Sequence, residues 1–216
     1  MLELENLSIT YGSNSVFEDV NLSIATGEMC CIRTGVLDGS TSLLKCAAGL
    51  IEPNSGSCKV DGMDVAMYDD DKLLSTVCYC YEAGGLVSLF SVYENIVLPL
   101  VYHQNVLPRS LEETVREVAG ALYIGDCLDM QVHELNDVQT RLVNLARGVV
   151  VGAKLLLLDE LQEGMSVEMR KSVLGYLKKL RDDSAVTVIM STTAGDDTTF
   201  ADRLFSIEHK GLREEH

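Results

Sequence analysis

Two adjacent carboxylates, Asp159 and Glu160, directly follow a run of four leucines, Leu155–Leu158. A short apolar run of this kind predicts a buried parallel strand that is covered on both faces. Open α/β sheets bind ligands at the carboxyl ends of such strands. The first acid could hold Mg²⁺, and the second could orient or deprotonate an attacking water. The alternative is a strand that ends in two acids without a catalytic role.

A loop at residues 34–42 lies between a short apolar strand at 29–32 and a helical run at 43–50. Strand, loop and helix in this order are typical of a phosphate-binding loop, because a helix N-terminus presents free amide groups and a favourable dipole to an anion. Tyr11, at a turn of the preceding ribbon, could stack on a planar base; ordinary packing at a strand end is the alternative.

The elements that position these loops follow from the hydrophobic pattern. Residues 2–24 alternate between apolar and polar and predict a half-buried antiparallel ribbon. Segments at 76–81 and 186–190 predict further strands, and residues 166–181 predict a helix. Helices after residue 86 are indicated by two Ser-x-x-Glu sequences, at Ser91 and Ser110, which predict capping boxes. We therefore expect an α/β fold with a doubly wound layer arrangement.

The composition excludes several function classes. The 33 acidic residues against 17 Lys and Arg give a formal net charge of −16, and so acidic a surface repels nucleic acid and anionic lipid headgroups. The 7 cysteines show no CxxC spacing and are expected to be core residues in a reducing compartment. The N-terminus lacks a signal segment, and no apolar run approaches the roughly 20 residues that span a bilayer. We expect a cytoplasmic chain that binds no nucleic acid.

Several stretches together carry a resemblance to one family: the phosphate-type loop, residues 51–56, Tyr81-Glu82, the leucine-rich strand with its two acids, and Ala201-Asp202-Arg203. From end to end the chain resembles the ATP-binding subunit of an ABC transporter. The resemblance implies one ABC ATPase-like domain over residues 1–216, with a P-loop NTPase-like core, an N-terminal antiparallel β subdomain and an inserted helical subdomain at about 86–150. Residues 82–86 and 91–100 resemble in particular the ATPases of Mla/Mce-type lipid transporters.

The phosphate loop departs from the family pattern Gly-x-x-Gly-x-Gly-Lys-Ser/Thr, in which the lysine neutralises phosphate charge. Thr34, Leu37 and Ser40 stand at the first glycine, the second glycine and the lysine. Gly39 is kept, and Asp38 adds a negative charge. Losing a charged hydrogen bond costs about 1.5–3 kcal/mol, and a carboxylate beside phosphate adds up to about 4 kcal/mol at an effective dielectric near 20. The nucleotide-binding positions that the resemblance implies are Tyr11, Thr34, Gly35, Asp38, Gly39, Ser40, Thr41 and Ser42, and we expect them to bind Mg-ATP weakly if at all.

The resemblance also implies roles for the acids. Thr41, Glu82 and Asp159 would surround Mg²⁺, and Glu160 would be the catalytic base. Glu82 stands where the family has glutamine, which changes the charge of the site. With the lysine missing, we expect Glu160 to be idle.

Three further contact regions are altered. Leu135-Asn136-Asp137-Val138-Gln139 stands at the family signature Leu-Ser-Gly-Gly-Gln, which clamps the γ-phosphate of ATP bound to the opposite subunit, and only its first and last residues are kept. Thr193 stands at the switch histidine, and Ser166 at an aspartate in the loop after Glu160. The scaffold is kept while the phosphate contacts are lost.

Three functions are compatible with this pattern. The first, which we favour, is a degenerate ABC subunit with a structural or regulatory role, no structural cofactor, and weak or no use of Mg-ATP. The second is an active ATPase with non-consensus residues, and the third is a soluble interaction protein on this fold. The first implies a membrane permease as partner, with or without a second ATPase subunit, and a peripheral position on the inner face of the cell membrane.

Overall fold

Two β-sheets form the framework of the computed structural model, which describes residues 1–35 and 38–215. The strands in chain order are β1 (Leu2–Tyr11), β2 (Asn14–Ile24), β3 (Met29–Arg33), β4 (Ser55–Val60), β5 (Met63–Asp64), β6 (Val77–Cys80), β7 (Leu155–Leu158), β8 (Thr187–Thr192), β9 (Arg203–Glu208) and β10 (Gly211–Glu215). The first sheet is antiparallel with the order β2-β1-β4-β5, and it contains the predicted ribbon. The second has the order β10-β9-β3-β8-β7-β6, and all its pairs except β10–β9 are parallel. The α/β prediction is confirmed.

The helices are α1 (Ser40–Ala47), α2 (Asp70–Thr76), α3 (Val92–Gln104), α4 (Glu112–Ala121), α5 (Asp137–Val151) and α6 (Val167–Ser184). Three of them, α3 to α5, lie between β6 and β7 in the chain. The capping box of Ser91 and Glu94 is confirmed at the start of α3. The one predicted at Ser110 is wrong, because a short 3-10 turn at Pro108–Leu111 precedes α4 and the Ser110 hydroxyl donates back to the Leu107 carbonyl at 2.7 Å.

The second sheet is buried on both faces, which explains the uninterrupted leucines of β7. Leu155 and Leu157 pack into a core shared with α1 and the antiparallel sheet. Leu156 and Leu158 face the opposite side and pack into a core shared with α3 to α6. Successive side chains of a strand point to opposite faces, so a strand between two cores must be apolar throughout.

The carboxyl ends of four parallel strands meet at one edge of this sheet. In the order β3-β8-β7-β6, these ends lead into Thr34, Thr193, Asp159 and Glu82. Neighbouring strands lie about 4.8 Å apart, so the topology brings together side chains from four distant parts of the sequence. The candidate site lies here.

Candidate functional site

The loop after β3 enters α1 through Gly39, which has a φ of 95°. A Cβ atom at this position would lie 2.0 Å from Cγ1 of Val16, so only glycine fits there. The start of the loop is tied to β8, because the amide of Thr34 donates to the Thr192 carbonyl at 2.8 Å. Leu37, predicted at the second glycine of the family pattern, lies outside the described residues. Gly39, which the resemblance predicts to be the glycine kept from the family pattern, is therefore a position where the backbone requires glycine.

The Asp38 carboxylate turns back onto the loop. Its Oδ1 accepts a hydrogen bond from the amide of Ser40 at 3.1 Å, and its Oδ2 accepts one from the amide of Gly35. Ser40, at the lysine position, is 6% exposed and begins α1. Two amides of the loop thus already have an anionic partner from the chain itself.

Tyr11 lies beside this loop. Its hydroxyl donates to Oγ of Ser42 at 3.2 Å, and the residue is 54% exposed. The contact places an exposed ring next to the start of α1, and its stacking on a base stays a prediction. Thr41, expected near a metal, is half-buried in the first turn of α1.

Asp159 is held by two hydroxyl groups. Tyr79 Oη donates to its Oδ2 at 2.6 Å and Ser191 Oγ donates to its Oδ1 at 2.8 Å. The Glu160 amide in turn donates to Ser191 Oγ at 2.8 Å. Burial raises the pKa of Tyr79 far above its usual range, and the adjacent Asp159 carboxylate raises it further, so the phenol remains a donor. Asp159 is 1% exposed, and both of its oxygens have partners from neighbouring strands.

Glu160 lies among other acids in a left-handed backbone conformation with a φ of 47°. Burial raises the pKa of its carboxyl above the usual value, and the charges of Glu82, Asp159, Glu163 and Asp196 raise it further. Carboxylate oxygens of Glu82, Glu160 and Glu163 all lie within 4.8 Å of one another. The cluster destabilises a negative charge on Glu160.

These positions do not fit an Mg²⁺ ion bound directly by Asp159, since its carboxylate is buried and hydrogen-bonded to the protein. The carboxylates that gather near Glu82 are those of Glu160 and Glu163. Glu163 already contacts a cation, because Arg141 Nη1 lies 3.3 Å from its Oε2. We therefore derive no catalytic step that passes through a metal.

The signature-like segment caps a helix instead of presenting a free serine. The backbone amide of Gln139 donates to Asn136 Oδ1, and the backbone amide of Asn136 donates to Gln139 Oε1, each at 2.9 Å. These two bonds form a capping box at the start of α5. Leu135 and Val138 pack against the core, and Asp137 is exposed in the first turn. The residue that the resemblance predicts at the first signature glycine, Asp137, is thus an exposed carboxylate.

Thr193 is closed into a turn. Its amide and its hydroxyl both donate to Asp196 Oδ2, at 2.8 and 3.3 Å. Arg170 lies 3.5 Å from the same carboxylate and donates to the Gly195 carbonyl at 2.8 Å. Thr193, which the resemblance predicts at the family's switch histidine, is thus a threonine whose amide and hydroxyl already have a partner.

The structure assigns structural roles to side chains that the sequence analysis missed. Arg141 donates to the carbonyls of Glu82 and Glu163, and Asn144 donates to the carbonyl of Gly84 at 2.9 Å. These buried polar groups of α5 hold the loop after β6 in place. Arg141 and Asn144 are polar residues on the buried face of α5.

A groove of about 340 Å³ is lined mainly by residues of α2, β6 and α5, with one residue from α3; Leu50, Leu73, Tyr81, His103 and Arg147 are among its lining residues. His103 Nδ1 lies 2.8 Å from the Asp71 carboxylate, and this contact joins α3 to α2. Among the described residues no helix is both long and apolar enough to cross a membrane.

Comparison with known proteins matches residues 17–163 to the family model described as "ABC transporter". The spermidine/putrescine import ATP-binding protein PotA of Haemophilus influenzae is 30% identical over 206 residues, which cover 94% of this chain and 54% of that protein. The sulfate/thiosulfate import ATP-binding protein CysA of Pectobacterium atrosepticum is 28% identical over 99% of this chain and 65% of its own length. The chain thus spans between half and two thirds of the length of these relatives.

Solved structures show the same fold. The dimeric structure of MJ0796, a bacterial ABC transporter cassette, superposes with a TM-score of 0.90 at 23% identity and covers 100% of this chain and 98% of that one. CbiO1 of Clostridium perfringens, part of the transporter complex cbiONQ, superposes with a TM-score of 0.79 at 21% identity, over 98% of this chain and 86% of that one. The chain belongs to the ABC transporter family and has the fold of its ATP-binding cassettes.

Proposed function

We propose that this chain is a degenerate ATP-binding subunit of an ABC transporter, with weak or no nucleotide binding and hydrolysis and a structural or regulatory role. The observation that carries the proposal is the state of Asp159, whose two carboxylate oxygens are hydrogen-bonded to Tyr79 and Ser191 inside the protein. A carboxylate that binds a nucleotide-associated metal needs an oxygen directed toward the ligand.

Charge at the phosphate loop supports the same proposal. Ser40 replaces the cation that neutralises the β- and γ-phosphates in the family, and Asp38 is an anion two residues before it. The lost charged hydrogen bond and the added repulsion together weaken binding by several kcal/mol, or more than about a thousandfold.

Calorimetry is expected to give a Kd for Mg-ATP in the millimolar range, or no measurable heat. The double variant Asp38→Ser with Ser40→Lys restores the family's cation and removes the anion, so it is expected to bind Mg-ATP more tightly than the parent. The matched control is Lys45→Ser with Ser40→Lys, which restores the cation at unchanged net charge but leaves Asp38 in place. A micromolar Kd for the unaltered chain would contradict the proposal.

The partner that fits the proposal is a membrane permease, which would hold the chain at the cytoplasmic face of the membrane. The groove described above supports this placement, because its lining combines apolar side chains such as Leu73 with the polar residues His103 and Arg147. For the cargo, the resemblance of residues 82–86 and 91–100 to lipid-transporter ATPases favours a lipid. The names of the relatives refer instead to spermidine/putrescine and sulfate/thiosulfate. A permease gene beside the gene of this protein is the observation that would decide between these cargo classes.

Mg-ATP is expected not to tighten association of the chain with itself. In the family each ATP lies between the phosphate loop of one subunit and the signature of the other, so a homodimer of this chain would contain Asp38 and Asp137 at each nucleotide. Pairing with an intact second ATPase would leave one altered loop at each site. Sedimentation velocity should show a monomer or weak dimer whether or not Mg-ATP is present, and an ATP-induced stable dimer would contradict this.

A second candidate, an active ATPase with non-consensus residues, is favoured by one observation. Glu160 keeps the position of the catalytic base, and burial together with neighbouring acids raises the pKa of its carboxyl, as is common for general bases. Turnover measurements separate the two candidates.

A further inference from the structure

We propose that the Asp38 carboxylate is an internal anion that occupies the backbone amides of Gly35 and Ser40, in the described part of the loop at residues 34–42, and excludes phosphate from them. The inference rests on the proposed function, and it identifies the side chain that causes the loss of phosphate binding. Family membership identifies this loop as the phosphate loop, because the match to the family spans it.

The contacts of Asp38 reach both sides of the loop. One oxygen accepts from Gly35, near the end of β3, and the other accepts from Ser40, the first residue of α1, at 3.1 Å. Hydrogen bonds from backbone amides to an ionised acceptor are about twice as strong as those between neutral groups. The carboxylate therefore links the backbone amides of Gly35 and Ser40 in the way that a phosphate bound between them would.

The backbone that presents the Ser40 amide is retained from the family pattern. Gly39 has a φ of 95°, and a side chain there would collide with Val16. Within the described part of the loop neither Lys nor Arg is present. The described part of the loop thus offers backbone amides to an anion, and the anion that accepts from them is the Asp38 carboxylate.

Competition follows from this arrangement. A tethered group reaches an effective concentration of about millimolar or more at its site, whereas free phosphate must displace it and also approach its negative charge. Asp38 therefore acts by occupying the amides as well as by repulsion, and these two effects predict different responses to substitution.

Binding of inorganic pyrophosphate, measured by calorimetry without Mg²⁺, tests the inference. Asp38→Ala frees both amides and should bind pyrophosphate at least about tenfold more tightly than the unaltered chain. Asp38→Asn removes the charge but keeps an amide oxygen that can accept from Ser40 or Gly35, so its gain should be smaller than that of the alanine variant. Asp183→Asn, a remote exposed position with the same change in net charge, should leave the Kd unchanged.

Equal affinities of Asp38→Ala and the unaltered chain would overturn the inference, and equal gains for the alanine and asparagine variants would show repulsion alone and overturn it too. Micromolar binding of Mg-ATP by the unaltered chain would instead overturn the proposed function, so the two failures are distinguishable.

The contacts of Asp38 can also be tested by NMR on the unaltered chain, so this test does not require that the variants fold. In hydrogen-exchange NMR of the unaltered chain, the amide protons of Gly35 and Ser40 should exchange slowly with solvent, because both donate to the Asp38 carboxylate. Rapid exchange at these two positions would show that the contact is absent in solution and would overturn the inference.

Discussion

Steady-state hydrolysis of Mg-ATP by the purified chain is expected to stay at background, and Glu160→Gln is expected to leave the rate unchanged. In an ATPase that uses this residue as its base, the same change keeps the shape of the side chain and removes the proton acceptor, which lowers turnover by about 10²–10⁴-fold. Here the resemblance predicts Thr193 at the position of the histidine and Ser40 at the position of the lysine. Robust turnover that disappears in Glu160→Gln would contradict the proposal of a degenerate subunit and would support the active ATPase.

The same variant should also change the stability of the fold, because a negative charge on Glu160 is unfavourable in the folded protein. Folding raises the pKa of the Glu160 carboxyl, through burial first and then through Glu82, Asp159 and Glu163. The folded state therefore holds this proton more tightly than the unfolded chain. The associated stability is present below the usual pKa of 4.5 and is lost as the pH rises through the raised value.

Glu160→Gln is accordingly expected to raise the melting temperature at pH 7 and to lose this advantage below pH 4.5. The control is Glu52→Gln, an exposed glutamate in the loop before β4, which should change the melting temperature little at either pH. A lower melting temperature for Glu160→Gln at pH 7 would show that the charge of Glu160 stabilises the fold.

Hydrophobic pattern and spacing were sufficient to predict the framework. Four leucines between charged residues fixed β7 as a strand with two buried faces, and the Ser-x-x-Glu sequence at Ser91 began α3 as expected. The similar sequence at Ser110 failed because Pro108 starts a 3-10 turn, which directs the serine hydroxyl to a preceding carbonyl. Local patterns of this kind are reliable only where no competing turn is available.

The partners of the site residues could not be predicted in this way. Tyr79 and Ser191 lie on β6 and β8, and Asp159 directly follows β7. Their contact depends on the order and register of three strands that are far apart in sequence. Sequence reasoning placed Asp159 at the edge of the sheet, but it assigned the carboxylate to a metal because the two hydroxyl groups carry no signal of their own. The contact of Asp38 with Gly35 was hidden for a similar reason, because it depends on the path of the loop.

Replacing Asp159 by alanine is expected to destabilise the protein by on the order of 3 kcal/mol, because Tyr79 Oη and Ser191 Oγ would both lose a buried anionic acceptor. Tyr79→Phe removes one of these donors and should cost about 1.5–3 kcal/mol. The two changes share one interaction, so the double variant should be less destabilised than the sum of the single variants. Urea denaturation of the four proteins measures this coupling.

Adding Mg²⁺ to these measurements separates a structural Asp159 from a metal ligand. Ligand binding to the folded state alone raises its stability in proportion to the logarithm of the ligand concentration. If Asp159 held Mg²⁺, millimolar MgCl₂ would stabilise the unaltered chain but not Asp159→Ala. Because both oxygens are already hydrogen-bonded within the protein, we expect MgCl₂ to change the free energy of unfolding of both proteins equally, with NaCl at matched ionic strength as the control. A Mg²⁺-dependent gain confined to the unaltered chain would show that the ion displaces Tyr79 or Ser191 from Asp159, and that the site can still accept a metal.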